Sequence, residues 1–250
     1  MKLAISGKGG VGKSTVASYL IKALMDKGRE VLAIDADPSP HLARLLGFDQ
    51  EGVTPIAEMK DLLQERSERQ GPFYNLNPKV DDLPDKFMLS RNGLKLMVLG
   101  AVRQGGAGCA CADNAVLRNL LNRLLLEKNQ DIVLDMEAGV EHLGRGTIQC
   151  VDHLLIVVQP YKGSMETAEK IKDLANDLKI RSVGLVINGC RDDEDKEFVS
   201  QSLKMEPVGI FPYSIKTAKA ERKGFIIYEA DPQMSDAAKK LIEKLETMVK

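Results

Sequence analysis

Runs of consecutive apolar residues alternate along the chain with segments in which apolar residues recur every three or four positions. Short uninterrupted apolar runs are typical of strands buried on both faces, and the longer spacing is typical of amphipathic helices. We therefore predict strands at 2–6, 30–35, 131–135, 153–158, 182–188 and 207–211. Helices are predicted at 14–27, 114–129, 164–179 and 193–203.

The repeated succession of strand and helix predicts an α/β fold, with a mostly parallel twisted sheet flanked by helices on both faces. A hairpin is expected at 87–100, where Asn92-Gly93 supplies a two-residue turn. Residues 65–86 are rich in Pro, Asn and charge and predict an irregular surface insertion. Since no repeat or low-complexity tract interrupts the pattern, we expect residues 1–250 to form a single domain.

The C-terminal segment MSDAAKKLIEKLETMVK has one apolar helical face, which could lie on a membrane or pack on the sheet. Glu243 and Glu246 dilute its lysines, and no bulky aromatic residue is present, so we predict a helix docked on the sheet. The residues of the apolar face are Met234, Ala237, Ala238, Leu241, Leu245 and Met248.

The composition argues against some classes of partner and some cellular locations. The 250 residues carry a formal net charge of −1, whereas a protein that binds nucleic acid usually presents a basic face. No apolar run approaches the roughly 18 residues needed to span a bilayer, and no signal peptide is evident. We expect a cytoplasmic protein with neither nucleic acid nor membrane as its partner.

The segment GKGGVGKS at 7–14 fits the eight-residue phosphate-loop pattern and lies between a predicted strand and a predicted helix. Its glycines let backbone N–H groups curl around a phosphate, and the helix start adds the positive end of a dipole. Lys13 is expected to bridge the β- and γ-phosphates of ATP, Ser14 to ligate Mg²⁺, and Thr15 to lie near the α-phosphate. The other loop residues expected at the nucleotide are Gly9, Gly10, Val11 and Gly12.

Aspartates follow or end two of the buried strands. Asp135 ends the strand DIVLD, where an acid commonly holds the Mg²⁺ shell through water, and Asp131 is expected to be the exposed first residue of that strand. Asp35 is expected to be structural or near the metal. Asp37 lies just beyond a strand end, a place suited to orienting an attacking water, although a solvated turn before Pro38 is the alternative.

Two of the four cysteines, Cys109 and Cys111, are separated by one residue in a glycine-rich segment. Thiolates are soft ligands for Zn²⁺, Ni²⁺, Cu⁺ or an iron–sulfur cluster, but a structural site usually takes four protein ligands. A second copy of the chain could supply the missing pair across a twofold axis, and two incidental surface thiols are the alternative. Cys150 and Cys190 lie beside strands and are expected to be small buried apolar residues. The three histidines have no ligand-like spacing relative to the pair.

The run KGGVGKST, with a second lysine at Lys8, resembles the deviant phosphate loop of the dimeric ATPases that include nitrogenase iron protein and the Min and Par proteins. The resemblance implies that Lys8 reaches the nucleotide of the partner subunit and that Asp37 orients the attacking water. It also implies that the N–H of Gly139 senses the γ-phosphate, that Asn188 contacts the adenine edge and that Pro212 walls the base. Lys8, Lys13, Asp37 and Asp135 are the expected catalytic residues.

The glycine-rich cysteine pair and the run DMEAGVEHLGRGT narrow the resemblance to the nickel-insertion ATPases of the CooC type, which mature carbon monoxide dehydrogenase and acetyl-CoA synthase. This resemblance implies an ATPase that binds nickel through Cys109 and Cys111 at an ATP-linked homodimer interface and helps to insert it into such a client. Nickel rests on the resemblance alone, because a cage of four thiolates would also accept zinc.

Three other functions stay open on the sequence. A Min/Par-type positioning ATPase would act through membrane or DNA contacts. An iron–sulfur cluster carrier would bridge its dimer with the same cysteines, and a passive metal store would not turn over ATP.

Overall fold

The computed structural model describes residues 1–49, 51, 53–67, 69–70, 73–74, 78–100, 110–127, 130–138 and 150–248. The predicted apolar runs form strands, each within two residues of the expected bounds. The strands are β1 (Lys2–Ser6), β2 (Val31–Ala36), β3 (Arg69–Gln70), β4 (Phe73–Tyr74), β5 (Leu89–Arg91), β6 (Leu94–Val98), β7 (Asp131–Met136), β8 (His153–Val158), β9 (Val183–Cys190) and β10 (Pro207–Pro212).

A sheet of eight of these described strands has the order β10-β9-β8-β1-β7-β2-β6-β5. Every pairing in it is parallel except that of β5 with β6. The antiparallel pair is the predicted hairpin, and Asn92 at its turn adopts a left-handed φ of 49°. The predicted α/β fold with a mostly parallel sheet is therefore confirmed.

The helices fall close to the predicted positions, and the structure adds several short ones that periodicity did not indicate. A short 3₁₀ turn spans Ile56–Glu58. The α-helices are α1 (Lys13–Asp26), α2 (Leu42–Leu45), α3 (Lys60–Arg66), α4 (Leu83–Phe87), α5 (Ala110–Leu126), α6 (Lys162–Asp177), α7 (Asp193–Leu203), α8 (Ile215–Arg222) and α9 (Pro232–Met248).

Helices cover both faces of the sheet, because alternate residues of each buried strand point to opposite sides. Leu3 of β1 belongs to the apolar cluster that includes α1 and α9. The next residue, Ala4, belongs to a second cluster that includes α5 and α6. As predicted, α9 docks on the sheet with Leu241 and Leu245 fully buried, although Met248 at its end is exposed.

Two predictions about the surface were wrong. Asp131 is buried: its carboxylate lies 2.6 Å from the terminal amino group and 2.8 Å from Nε of Arg29. The segment 65–86 is not wholly irregular, since it contains the end of α3 and most of α4, and Val80 and Leu83 join the core. No helix in the described part of the chain combines the length and apolarity needed to cross a bilayer.

We predict that protonation of His153 destabilises the fold. His153 is 1% exposed, its Nδ1 lies 2.8 Å from the Ser182 hydroxyl, and burial lowers its pKa, opposed by the nearby Asp152 carboxylate. A lowered histidine pKa stabilises the fold above the ordinary value of 6.5, and this contribution is lost as pH falls below that value.

The measurement is the free energy of unfolding in urea at pH 7.5 and pH 5.5, for wild type and for His153→Asn. Asparagine keeps a polar partner for Ser182 but does not titrate, so wild type should lose more stability than the variant on acidification. Equal losses in the two proteins would contradict the prediction, because all other titrating groups are common to both.

Candidate nucleotide-binding site

A cleft of about 570 Å³ lies at the carboxyl edge of the sheet, beside the loop that follows β1. In the sheet, β1 has β7 and β2 on one side and β8 to β10 on the other. The order of the strands along the chain therefore reverses direction at β1. Open parallel sheets bind their ligands in the crevice at such a switch point. The predicted site residues that line the cleft are Gly9, Gly10, Gly12, Lys13, Ser14, Thr15, Asp37, Asn188 and Pro212.

The phosphate loop has the backbone conformation that only glycine adopts easily. Gly12 has a φ of 88°, and a Cβ there would lie 2.2 Å from the side-chain nitrogen of Asn188. Val11 anchors the loop, since its side chain is completely buried in the core. Because α1 begins at Lys13 without an acidic residue in its first turn, the start of this helix can bind an anion.

Lys13 and Asp37 face each other across the cleft. The lysine side chain is only 6% exposed, and its Nζ lies 3.8 Å from Oδ2 of Asp37. The other oxygen of Asp37 accepts the N–H of Ser39 at 2.9 Å, which orients the carboxylate. The Asp37 carboxylate thus balances a nearly buried ammonium that is in place to meet phosphate oxygens.

Asp35 holds the loop that carries Asp37. Its two oxygens accept the N–H groups of Asp37 at 3.2 Å and of Leu42 at 2.9 Å, so its contacts agree with the structural alternative. Burial raises the pKa of Asp35 to about 6, against the effect of these hydrogen bonds. The position of Asp37 over the cleft therefore depends on a buried carboxyl two residues earlier.

Asp135 is the partner of Asp35 in the register of β2 and β7 and is completely buried. Neither of its oxygens has a hydrogen-bond partner among the described residues. Burial raises its pKa to about 8, the charge of Asp35 adds to this rise, and the Ser14 hydroxyl and the Lys13 ammonium oppose it. Burial of a charged carboxylate without a partner is costly, so Asp135 is stabilised when it is protonated or when a cation binds nearby.

Asn188 links β9 to the phosphate loop. The residue is buried, and its side-chain Nδ2 donates to the carbonyl oxygen of Val11 at 2.8 Å. One N–H of the amide is therefore occupied by the loop, while the residue still lines the cleft. The close fit against Gly12 explains why a side chain larger than hydrogen would be excluded there.

Beyond the predicted Pro212, the far wall of the cleft is formed by Tyr213, Ser214 and α8, which the sequence patterns did not indicate. Ser214 caps α8 by accepting the N–H of Thr217 at 3.0 Å and donates to Asp231 at 2.6 Å. The Thr217 hydroxyl also lies 2.7 Å from the Tyr19 hydroxyl of α1, so the wall is tied to the helix of the phosphate loop. Too few apolar residues lie along 215–222 to reveal a helix there by periodicity.

Gln159 and Gly189 also line the cleft and were not predicted. Gln159 directly follows the buried strand β8, so the rule that located Asp37 beyond β2 would also have found it. Gly189 directly follows Asn188, and its φ of 77° lies in the left-handed region.

Several predicted residues are not among those that the structure places at the cleft. Lys8 does not line the cleft, and its ammonium lies over the ring of Tyr161. Gly139 and Cys109 are outside the described residues, and Cys111 is described only as part of the backbone of the first turn of α5. Within the described part of the chain, no three His, Cys, Asp or Glu side chains are grouped as a metal site.

Residues 2–227 match the family described as the CobQ/CobB/MinD/ParA nucleotide binding domain. The chain is 39% identical over 252 residues to the carbon monoxide dehydrogenase accessory protein CooC of Rhodospirillum rubrum, covering 98% of this chain and 96% of that protein. It is 27% identical to an iron–sulfur cluster carrier protein of Pyrococcus horikoshii, over 98% of this chain and 86% of that protein.

The fold is shared with the septum site-determining protein MinD of Pyrococcus horikoshii, whose structure was solved in complex with Mg-ADP. The TM-score is 0.70 at 21% identity, covering 99% of this chain and 97% of that one. The resemblance to CooC and to the Min and Par proteins that the motifs indicated is thus confirmed. The chain belongs to the CobQ/CobB/MinD/ParA family of phosphate-loop nucleotide-binding proteins.

Proposed function

We propose that this protein is an ATP-hydrolysing maturation factor that takes nickel as its cargo. Cys109 and Cys111 bind the ion at an ATP-linked homodimer interface, and the protein helps to insert it into carbon monoxide dehydrogenase or a related client. The observation that carries the proposal is the 39% identity to CooC along nearly the whole of both chains. The presence in one chain of a phosphate loop at 7–14 and of a cysteine pair about 100 positions later also supports it.

The cleft supplies the groups that hydrolysis of ATP needs. The loop N–H groups and Lys13 bind the phosphates, and Asp37 holds the attacking water in line with the γ-phosphorus. Lys13 exchanges its contact with Asp37 for phosphate oxygens when the nucleotide enters, which frees the Asp37 carboxylate for water. Lys8 of the other subunit adds positive charge beside phosphate oxygens that gain negative charge as ADP leaves.

The residues beneath the phosphate loop fit a magnesium ion. The Ser14 hydroxyl is a hard oxygen ligand, and the unpaired carboxyl of Asp135 gains a partner if it accepts hydrogen bonds from the waters of the ion. Mg²⁺ bound there would neutralise charge on the phosphate oxygens. Asp35 stays outside this arrangement, because its oxygens are used by backbone N–H groups.

The cysteine pair provides half of a coordination sphere. Cys111 lies in the first turn of α5, two positions after Cys109 in the sequence. Two pairs that meet on a twofold axis give four thiolates for one ion. If ATP closes the dimer and so tightens metal binding, metal must equally tighten ATP binding or dimerisation.

We expect a nickel titration to show one ion per dimer, with an affinity that rises when ATP is present. The titration is done anaerobically on the full chain, and metal content and sedimentation are measured together. Cys109→Ser with Cys111→Ser should abolish stoichiometric binding and leave nucleotide affinity nearly intact. Cys150→Ser with Cys190→Ser is the matched control and should bind nickel like wild type.

The variant Lys13→Ala should have the opposite effect to the cysteine variant: it removes nucleotide binding and leaves some metal binding. This variant should lose nucleotide affinity and ATP-driven dimerisation while its monomers retain weak nickel binding. Metal affinity and dimer state that are both indifferent to ATP would overturn the coupling. An absorption spectrum of an iron–sulfur cluster after anaerobic purification would favour a cluster carrier, and absent ATP turnover even with a client would favour a metal store.

We predict that Asp135 makes the nucleotide-free fold less stable as pH rises. Its pKa is raised from 3.8 to about 8, so its stabilising contribution is complete below 3.8 and is lost as pH rises towards 8. Between pH 6 and pH 8, wild type should lose up to about 1.4 kcal/mol of unfolding free energy per pH unit. Asp135→Asn should flatten this dependence, and Mg-ADP should flatten it in wild type.

Asp131→Asn is the control at the other end of the same strand. The Asp131 carboxylate is paired with Arg29, so this variant should be less stable throughout the range while keeping the pH dependence due to Asp135. Urea unfolding at pH 6, 7 and 8 measures both effects. An Asp135→Asn variant with the same pH dependence as wild type would contradict the prediction.

A further inference from the structure

Lys8 occupies a defined place on its own subunit, away from the cleft. Its Nζ lies 5.5 Å from the centroid of the Tyr161 ring, within the range of a cation–π contact. A Cβ added to Gly163 would lie 2.6 Å from the same Nζ, so the ammonium rests against this glycine. Two residues of one turn therefore define where the Lys8 ammonium lies.

The electrostatic surroundings make this contact weak. Tyr161 is the N-cap of α6, and the first turn of that helix contains no acidic residue. The helix dipole presents its positive end to the ammonium, and Lys162 adds a like charge on the neighbouring residue. Among the described residues no carboxylate lies within 4.0 Å of the Lys8 ammonium, so the ring face is its main attractive partner.

The turn that holds Lys8 is itself fixed to the cleft. The N–H of Ser164 donates to the carbonyl of Tyr161 at 3.0 Å, and the Ser164 hydroxyl accepts the N–H of Gln159 at 3.1 Å. Gln159 lines the cleft at the end of β8. The ring of Tyr161 is still 38% exposed, so the ammonium can leave it without any rearrangement of the core.

We propose that Tyr161 and Gly163 form a holding site for the Lys8 ammonium, which the lysine leaves when it crosses to the nucleotide of a partner subunit. This inference rests on the proposed function, in which Lys8 acts across the dimer. Tyr161 is a positioning residue: it keeps Lys8 ordered in the monomer and opposes closure by the strength of one cation–π contact per subunit.

The size of the effect follows from the number of contacts that closure breaks. An exposed cation–π contact corresponds to about a two- to fivefold change in an equilibrium constant. A symmetric dimer breaks two of them, and independent contributions multiply, so removal of the ring should tighten the dimer about 4- to 25-fold.

The holding site is tested first in the nucleotide-free monomer by NMR of the lysine side chains. The Lys8 ε-methylene protons should be shifted upfield by the ring current in wild type and in Tyr161→Phe, which keeps the ring face. Tyr161→Leu should remove the shift. A Lys8 signal identical in wild type and Tyr161→Leu would overturn the holding site, whatever the dimer does.

The consequence is tested by sedimentation with a non-hydrolysable ATP analogue and Mg²⁺. Tyr161→Leu should tighten the dimer, and Tyr161→Phe should match wild type. Gly163→Ala should also tighten it, because the new methyl group displaces the flexible end of Lys8 and approaches the Tyr161 ring no nearer than 3.6 Å, an ordinary van der Waals distance. Alanine is the better helix former, so Gly163→Ala should unfold no earlier than wild type.

The Lys8→Met background separates this inference from the proposed function. In that background neither Tyr161→Leu nor Gly163→Ala should change the dimer constant, since no ammonium remains to be held. Effects that persist there would mean that the two positions act on the interface directly and would overturn the inference. A wild-type chain that never dimerises with the analogue, but shows the ring-current shift, would instead refute Lys8 transfer in the proposed function.

Discussion

The residues of the candidate site are brought together by the parallel pairing of β1 with β7 and β8, and of β7 with β2. Parallel strands all end at the same edge of the sheet, so whatever follows them in sequence meets in space. The phosphate loop after β1 thereby meets Asp37 after β2 and Asp135 at the end of β7. The same geometry makes Asp35 and Asp135 register partners and buries two carboxyls side by side.

The two buried carboxyls differ in how well hydrogen bonds satisfy them. Asp35 is satisfied by backbone N–H groups and fixes the loop that carries Asp37. Asp135 has no such partner among the described residues, and the cost of its burial falls when a cation is bound nearby. Relief of this cost would therefore add to the free energy with which a magnesium nucleotide binds.

The two lysines of the phosphate loop are held in different ways. Lys13 is nearly buried and faces the carboxylate of Asp37, so it is oriented towards the cleft before nucleotide arrives. Lys8 lies over an aromatic ring outside the cleft, where attraction is weak and exit is open. This difference agrees with the proposal that Lys13 binds the nucleotide of its own subunit and that Lys8 reaches the nucleotide of a partner.

The sequence by itself determined the sheet, the major helices and the phosphate loop. These features are local, since side-chain periodicity and short motifs depend on residues only a few positions apart. Tertiary structure alone decided that Asn188 bonds Val11 from 177 positions away, that α8 walls the cleft, that Asp131 is buried against Arg29, and that Lys8 lies on Tyr161. Such partners are chosen by strand order and packing, which bring together residues whose local patterns contain no information about each other.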